Sequence, residues 1–150
     1  MKLFYLDDFK LKASNFNFRN TEHLLRIICG LFLLPEAYGK FSHFPTLNPD
    51  TVGFFAKVGF YPAEFWVYFA ALGEVTCGLA LILGICSRYA ALGAMTILLS
   101  ALTALNINRG YFAWTWNQGG DEYLVFWAIC CLIVAIYEFQ QAGKQQQADF

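Results

Sequence analysis

Long apolar blocks separated by short polar or aromatic breaks run along this chain. Residues 89–108 contain no charged side chain, and residues 65–87 contain one, Glu74. A third block, 123–137, is shorter and bracketed by Glu122 and Glu138. A helix needs about 20 mostly apolar residues to cross a hydrocarbon core of roughly 30 Å, so each block predicts a membrane-spanning helix. A less regular fourth begins near Leu24, has an apolar run over 27–34, and continues through Pro35, Glu36 and Lys40. The expected fold is an all-α integral membrane protein, a four-transmembrane-helix bundle over residues 22–139. Residues 1–21 form an N-terminal tail and 140–150 a polar C-terminal tail whose Gln-rich run predicts disorder.

Composition supports the same class. Of 150 residues, 58% are hydrophobic, 19% aromatic and 14% charged, and the mean hydropathy is +0.46. Soluble domains carry about 25% charged residues, so this chain lacks a polar coat. The formal net charge of -1 leaves no basic surface for nucleic acid. The N-terminus has Asp7, Asp8, Lys10, Lys12 and Arg19 but no apolar core or small-residue cleavage site, so it does not read as a signal peptide. It reads as a polar tail with a short interfacial helix carrying Phe4, Tyr5, Phe9 and Leu11.

Lysine and arginine set the expected orientation. With four spans, Lys2, Lys10, Lys12, Arg19, Arg26, Arg88 and Lys144 fall on one side, and Lys40, Lys57 and Arg109 on the other. Both termini are therefore expected in the cytoplasm.

Charges inside a bilayer are costly and usually face a protein interior. On the first helix Arg26, Cys29, Leu33, Glu36 and Lys40 fall within a face of roughly 80°, and Arg26 and Lys40 lie about 21 Å apart along the axis. Pro35 removes a backbone donor and predicts a kink. Glu74 sits mid-span on a stripe of small residues with Ala70 and Gly78, which admits a close neighbouring backbone. Its partner is Arg26, Lys40 or its own proton. Arg26, Glu36, Lys40 and Glu74 are thus the expected buried polar cluster, serving either helix packing or a ligand or proton. Arg88 and Glu122 are expected to hold helix ends.

The outer loops are aromatic. One carries His43, Phe44, Phe54, Phe55, Phe60 and Tyr61, and its apolar stretch 53–60 predicts a short interfacial helix. The other carries Tyr111, Phe112, Trp114 and Trp116. Such residues suit the headgroup level of a bilayer. Alternatively, Trp114 and Trp116 border the mouth of a site for a flat apolar ligand such as a quinone.

Taken in order, several motifs resemble the DoxX family of small four-helix bacterial membrane proteins. They are Leu24-Leu25-Arg26 with Gly39-Lys40-Phe41, then Val58-Gly59-Phe60-Tyr61-Pro62. Next come Gly73-Glu74 through Gly84 with Ser87-Arg88-Tyr89, and finally Gly119-Gly120-Asp121-Glu122-Tyr123. The resemblance covers roughly residues 22–137. It implies a link to membrane redox complexes, since one namesake is a subunit of a thiosulfate:quinone oxidoreductase and others are tied to thiol stress.

Five cysteines, Cys29, Cys77, Cys86, Cys130 and Cys131, form no Cys-x-x-Cys motif and read as small buried hydrophobes. His23 and His43 lack companions at metal-ligand spacing, so neither a metal site nor bis-His haem is expected. No covalent cofactor is expected; a quinone is the candidate for a non-covalently bound one. The leading expectation is an accessory subunit of a quinone-linked redox complex, with the lipid bilayer, a membrane-associated oxidoreductase or other subunits, or a second copy of the chain as partners. The alternatives are an oxidoreductase in its own right, using Cys29 or Cys77, and a small-molecule or proton permease.

Overall fold

In a computed structural model, residues 6–148 are described, with side chains from 8 to 144. Phe4 and Tyr5 of the expected interfacial helix lie outside the described residues. Five α-helices form: α1 (Thr21–Tyr38), α2 (Pro49–Lys57), α3 (Ala63–Leu83), α4 (Ser87–Arg109) and α5 (Glu122–Ala148). Three of them, α3, α4 and α5, are long and apolar enough to cross a membrane. The chain is an all-α membrane protein decorated by one small hairpin. By length and composition these three helices count as spans; α1, with 18 residues and Glu22, Arg26 and Glu36 along it, is not among them.

Local chemistry explains the helix ends. Asn20 caps α1 by accepting from the Glu22 N–H at 3.0 Å. Asn48 does the same for α2 through Asp50, with Pro49 in the first turn; a side-chain oxygen there satisfies a donor that the helix leaves orphaned. Gly84 (φ 74) and Gly110 (φ 77) terminate α3 and α4 in the left-handed conformation, where glycine has no steric penalty. Helix α1 runs through Pro35 into the next turn. The Gln-rich run also differs from its expected disorder: α5 continues to Ala148, because Gln, Lys and Ala are good helix formers.

Helix α1 packs chiefly on α3, α3 also on α4, and α4 most extensively on α5, with α5 returning to α1. The interior is built from small side chains, among them Ala91, Ala94, Ala128, Cys131 and Ala135, while Phe65, Leu72, Leu99, Phe126 and Ile133 face outward. Small inside and large apolar outside is the packing a lipid solvent permits, because hydrophobic burial gains little there and backbone approach gains more. Hydroxyls on the outer faces are satisfied within their own helices: Thr96, Ser100 and Thr103 donate to carbonyls one turn back at 2.8–2.9 Å, as an apolar solvent requires.

Helices α1 and α3 approach each other closely through a pair of glycines. A Cβ added to Gly30 would stand 2.6 Å from the Gly78 carbonyl oxygen, and one added to Gly78 would stand 3.0 Å from that of Gly30. Between α1 and α3 the chain makes an unforeseen antiparallel hairpin, β1 (Phe41–His43) and β2 (Thr46–Leu47), before entering α2. That helix begins at Pro49 rather than at Gly53, and the hairpin lies against α3 through Tyr68, whose hydroxyl donates to the Pro45 carbonyl at 2.6 Å.

Candidate functional site

The polar residues divide into three groups at different heights of the bundle. The first joins α1 to the middle of α3. Lys40, just past the end of α1, donates through Nζ to Oε1 and Oε2 of Glu74 at 2.7 and 2.6 Å and to the Glu36 carbonyl at 3.2 Å. Glu74 is 6% exposed. A carboxylate held on both oxygens by an ammonium keeps its charge tolerable in a water-poor setting.

The second group closes the opposite end of α1. Arg26, 1% exposed, donates to the Leu81 carbonyl at 2.7 Å and the Asn15 carbonyl at 2.6 Å, and its Nε lies 3.7 Å from Glu138. Asn15 in turn donates to the carbonyls of Leu83 and Gly84 at 3.3 and 3.2 Å, the groups a helix end leaves unpaired. Arg88, at the start of α4, pairs with Asp8 at 2.6 Å and lies over the rings of Tyr89 and Phe139. Cys86, in the turn between α3 and α4, donates its N–H to the Asp8 carbonyl at 2.8 Å. Burial, reinforced by the Asp8 carboxylate, pushes the Cys86 thiol up, and Arg88 opposes this.

The third group fastens the loop before α5. Asp121 is fully buried; it pairs with Arg109 and accepts from Asn106 Nδ2 at 2.6 Å. Glu122 accepts from the Trp116 N–H at 2.9 Å. A Cβ on Gly120 would collide with the carbonyls of Trp114 and Thr115, so the loop closes only around a glycine.

The expected cluster of Arg26, Glu36, Lys40 and Glu74 is therefore not one cluster. Lys40 and Glu74 are together. Arg26 is buried at the other end of α1, served by the N-terminal segment and α5. Glu36 is exposed and makes no ion pair among the described residues. The buried face of α1 is Arg26, Cys29, Gly30, Leu33 and Ala37; the helix turns Ala37 inward and leaves the neighbouring carboxylate outside, which avoids burying a second anion beside Glu74. Arg88 stands in the first turn of α4 and pairs with Asp8, and Glu122 opens α5 and accepts from the Trp116 N–H. Asp8, Asn15, Asn106, Arg109, Asp121 and Glu138 were not anticipated as functional, and only Asp121, next to the double glycine before α5, stood in a motif that could have drawn attention.

Beside the Lys40–Glu74 pair lies an apolar groove of about 610 Å³. Its walls come from α1 (Leu34, Ala37), the hairpin (Phe41, Phe44) and α3 (Tyr68, Ala71), and they continue to Val75, next to Glu74. Phe41 stands 5.4 Å from Phe44 and 5.9 Å from Tyr68 between ring centroids. Trp114 and Trp116 do not line it; they belong to the loop before α5, and the aromatic walls come from the hairpin and α3 instead. The volume falls within the ~300–1,000 Å³ of small-ligand sites.

A family model described as DoxX matches residues 22–107. No curated protein matches the chain, and no solved structure does.

Proposed function

The chain belongs to the DoxX family, and from that premise we propose that it is an accessory subunit of a quinone-linked redox complex in the bacterial inner membrane. In this reading α1 is the fourth span. Its buried Arg26 is spent on internal partners, and both termini lie in the cytoplasm by the distribution of Lys and Arg. The observation that carries the proposal is the buried Lys40–Glu74 pair at the flank of an aromatic-walled apolar groove. A quinone bound there would supply two-electron, two-proton carrier chemistry.

The chain's own residues have definable tasks. Phe41, Phe44 and Tyr68 form flat walls for a ring, and Leu34, Ala71 and Val75 exclude water along a tail. Lys40 Nζ already donates to both Glu74 carboxylate oxygens and to the Glu36 carbonyl, so the pair holds the wall of the groove in place, and Glu74 can accept the ammonium's proton at a carboxylate oxygen. A membrane-associated oxidoreductase would hold the remaining redox groups.

The test is purification in mild detergent, followed by mass spectrometry of co-eluting proteins and extracted lipids. Stoichiometric oxidoreductase with bound quinone is expected, and Ala71→Trp, which fills the groove, should strip the quinone while leaving the helical content unchanged. A partnerless protein without quinone, whose Glu74→Gln variant functions normally in cells, would sink the proposal. Cys29 and Cys131, both buried in the same core cluster, favour a second reading, an oxidoreductase in its own right. Full activity after replacing all five cysteines removes it.

A further inference from the structure

Helix α1 carries one anion that no cation of the chain answers. Lys40 Nζ donates to the Glu36 carbonyl at 3.2 Å as well as to the Glu74 carboxylate, so the backbone of Glu36 stands level with Glu74. That level is close to the middle of α3, a helix of 21 residues, about 15 Å from either of its ends. The Glu36 side chain is nonetheless exposed, and it makes no ion pair among the described residues. An ionisable group at such a depth is costly and ordinarily finds a partner. A helical side chain also leaves its backbone tilted toward the helix N-terminus, which carries this carboxylate away from the nearer end of α1.

The surroundings of Glu36 form a face. Ile28, Phe32 and Glu36 recur at four-residue spacing, and all three are exposed. Phe32 meets Trp127 edge-on at 6.1 Å between ring centroids, and Trp127 packs on Tyr123 at 5.5 Å. The stripe therefore runs along the seam between α1 and α5, with the charge at one end and apolar side chains along the rest.

Depth decides which cation can answer it. The ammonium of a phospholipid stays at the headgroup level, about 15 Å from the mid-plane. A second copy of the chain offers no match among the described residues. Lys40 is held by Glu74, and Arg26 is buried against Leu81 and Asn15. Arg109 ends α4, and Lys57 reaches the Asn108 carbonyl at that same end. Arg88 pairs with Asp8 at the opposite end of α4, and Arg19 precedes the first turn of α1. A transmembrane helix of another protein can place a lysine or arginine at mid-membrane, where an anion is the partner such a cation needs.

We propose that the stripe of Ile28, Phe32 and Glu36 is the docking face for a transmembrane helix of a different subunit, whose Lys or Arg pairs with Glu36 while the helix lies along the α1–α5 seam. The assignment rests on the reading of α1 as the fourth span, and it requires neither the groove nor a quinone.

The test places photoreactive p-benzoylphenylalanine at Phe32 in the full chain, in cells that make the protein naturally, and irradiates intact membranes. Mass spectrometry then locates the cross-linked residue. The expected adduct is on an apolar segment of about 20 residues in another protein, with a Lys or Arg within one helical turn of the cross-link. Recovery of that protein with the tagged chain should fall about ten-fold or more in Glu36→Gln, whose own thermal unfolding should match the parent. Glu36→Lys should lose the complex, and changing the partner's cation to Glu should restore it. Adducts confined to lipid, adducts to a second copy of the chain, or undiminished recovery with Glu36→Gln would each overturn the proposal. Co-purification of an oxidoreductase without a cross-link at Phe32 would overturn this face and leave the subunit reading standing. Absence of quinone beside an intact cross-link would do the reverse, removing the quinone and keeping the face.

Discussion

Lys40 reaches back past the end of α1 to hold both carboxylate oxygens of Glu74, at 2.7 and 2.6 Å, in the middle of α3. The two residues are 34 positions apart, and the contact joins the break in one helix to the centre of another. It places a neutralised charge pair beside the groove and sets the level at which α1 gives way to the hairpin.

Removing either partner alone should be far worse than removing both. Lys40→Met and Glu74→Leu should each destabilise by about 3–5 kcal/mol, because each leaves a buried charge without its counterion. The double variant should unfold at or above the parent's denaturant midpoint. Unfolding by SDS titration from mild detergent gives all four corners of the cycle; equal losses in the three variants would refute the pairing.

Two glycines in helices should respond in opposite directions. Gly30→Val drives a side chain into the Gly78 carbonyl and should lower stability by at least about 1–3 kcal/mol. Gly53→Ala, in α2, meets nothing within 4 Å and should raise stability slightly, by up to about 1 kcal/mol. Parallel melting curves of the two variants test this.

The loop before α5 should open when Asp121 is changed. Asp121→Ala leaves Arg109 and Asn106 without their shared acceptor, and a loss of about 1.4 kcal/mol in local opening corresponds to a tenfold faster cleavage. Limited chymotrypsin digestion at Tyr111, Phe112, Trp114 and Trp116 reads it directly. Unchanged cleavage would mean that the backbone contacts alone fix the loop.

Cys86 should alkylate slowly at neutral pH. Its thiol is pushed up by burial and by the Asp8 carboxylate, and the thiolate is the reactive form. The modification rate, followed by peptide mapping with iodoacetamide, should climb through a midpoint above the ordinary thiol value of about 8.5. Asp8→Asn should lower that midpoint. A midpoint at or below the ordinary value would show that Arg88 outweighs both causes.

Much of the bundle was legible in the hydropathy pattern, because an apolar solvent leaves long uninterrupted runs and the runs around Glu74, Ile97 and Cys130 became α3, α4 and α5. Partner choice was not. Arg26 finds Leu81 and Asn15, and Arg109 finds Asp121, through tertiary geometry that no spacing rule encodes. Glu36 misled because helical phase gave a face wide enough to include it, and the actual rotation favoured Ala37 by one residue. The hairpin was missed because its strands are two and three residues long, below any detectable alternation. The Gln-rich end was misjudged from polarity alone, although its residues individually favour helix.

The bond from Arg26 to the Leu81 carbonyl spans 55 positions, and that separation bears on how the chain is made. Arg26 leaves the ribosome several seconds before Leu81 at ordinary rates of synthesis. During that interval α1 holds a cation whose main acceptor does not yet exist, in a helix too charged to settle in lipid alone. On the four-span reading, α1 must wait at the insertion machinery or on the membrane surface until α3 emerges, and the two then enter as a pair. On that reading α3 brings the acceptor that lets the charged helix before it settle in lipid.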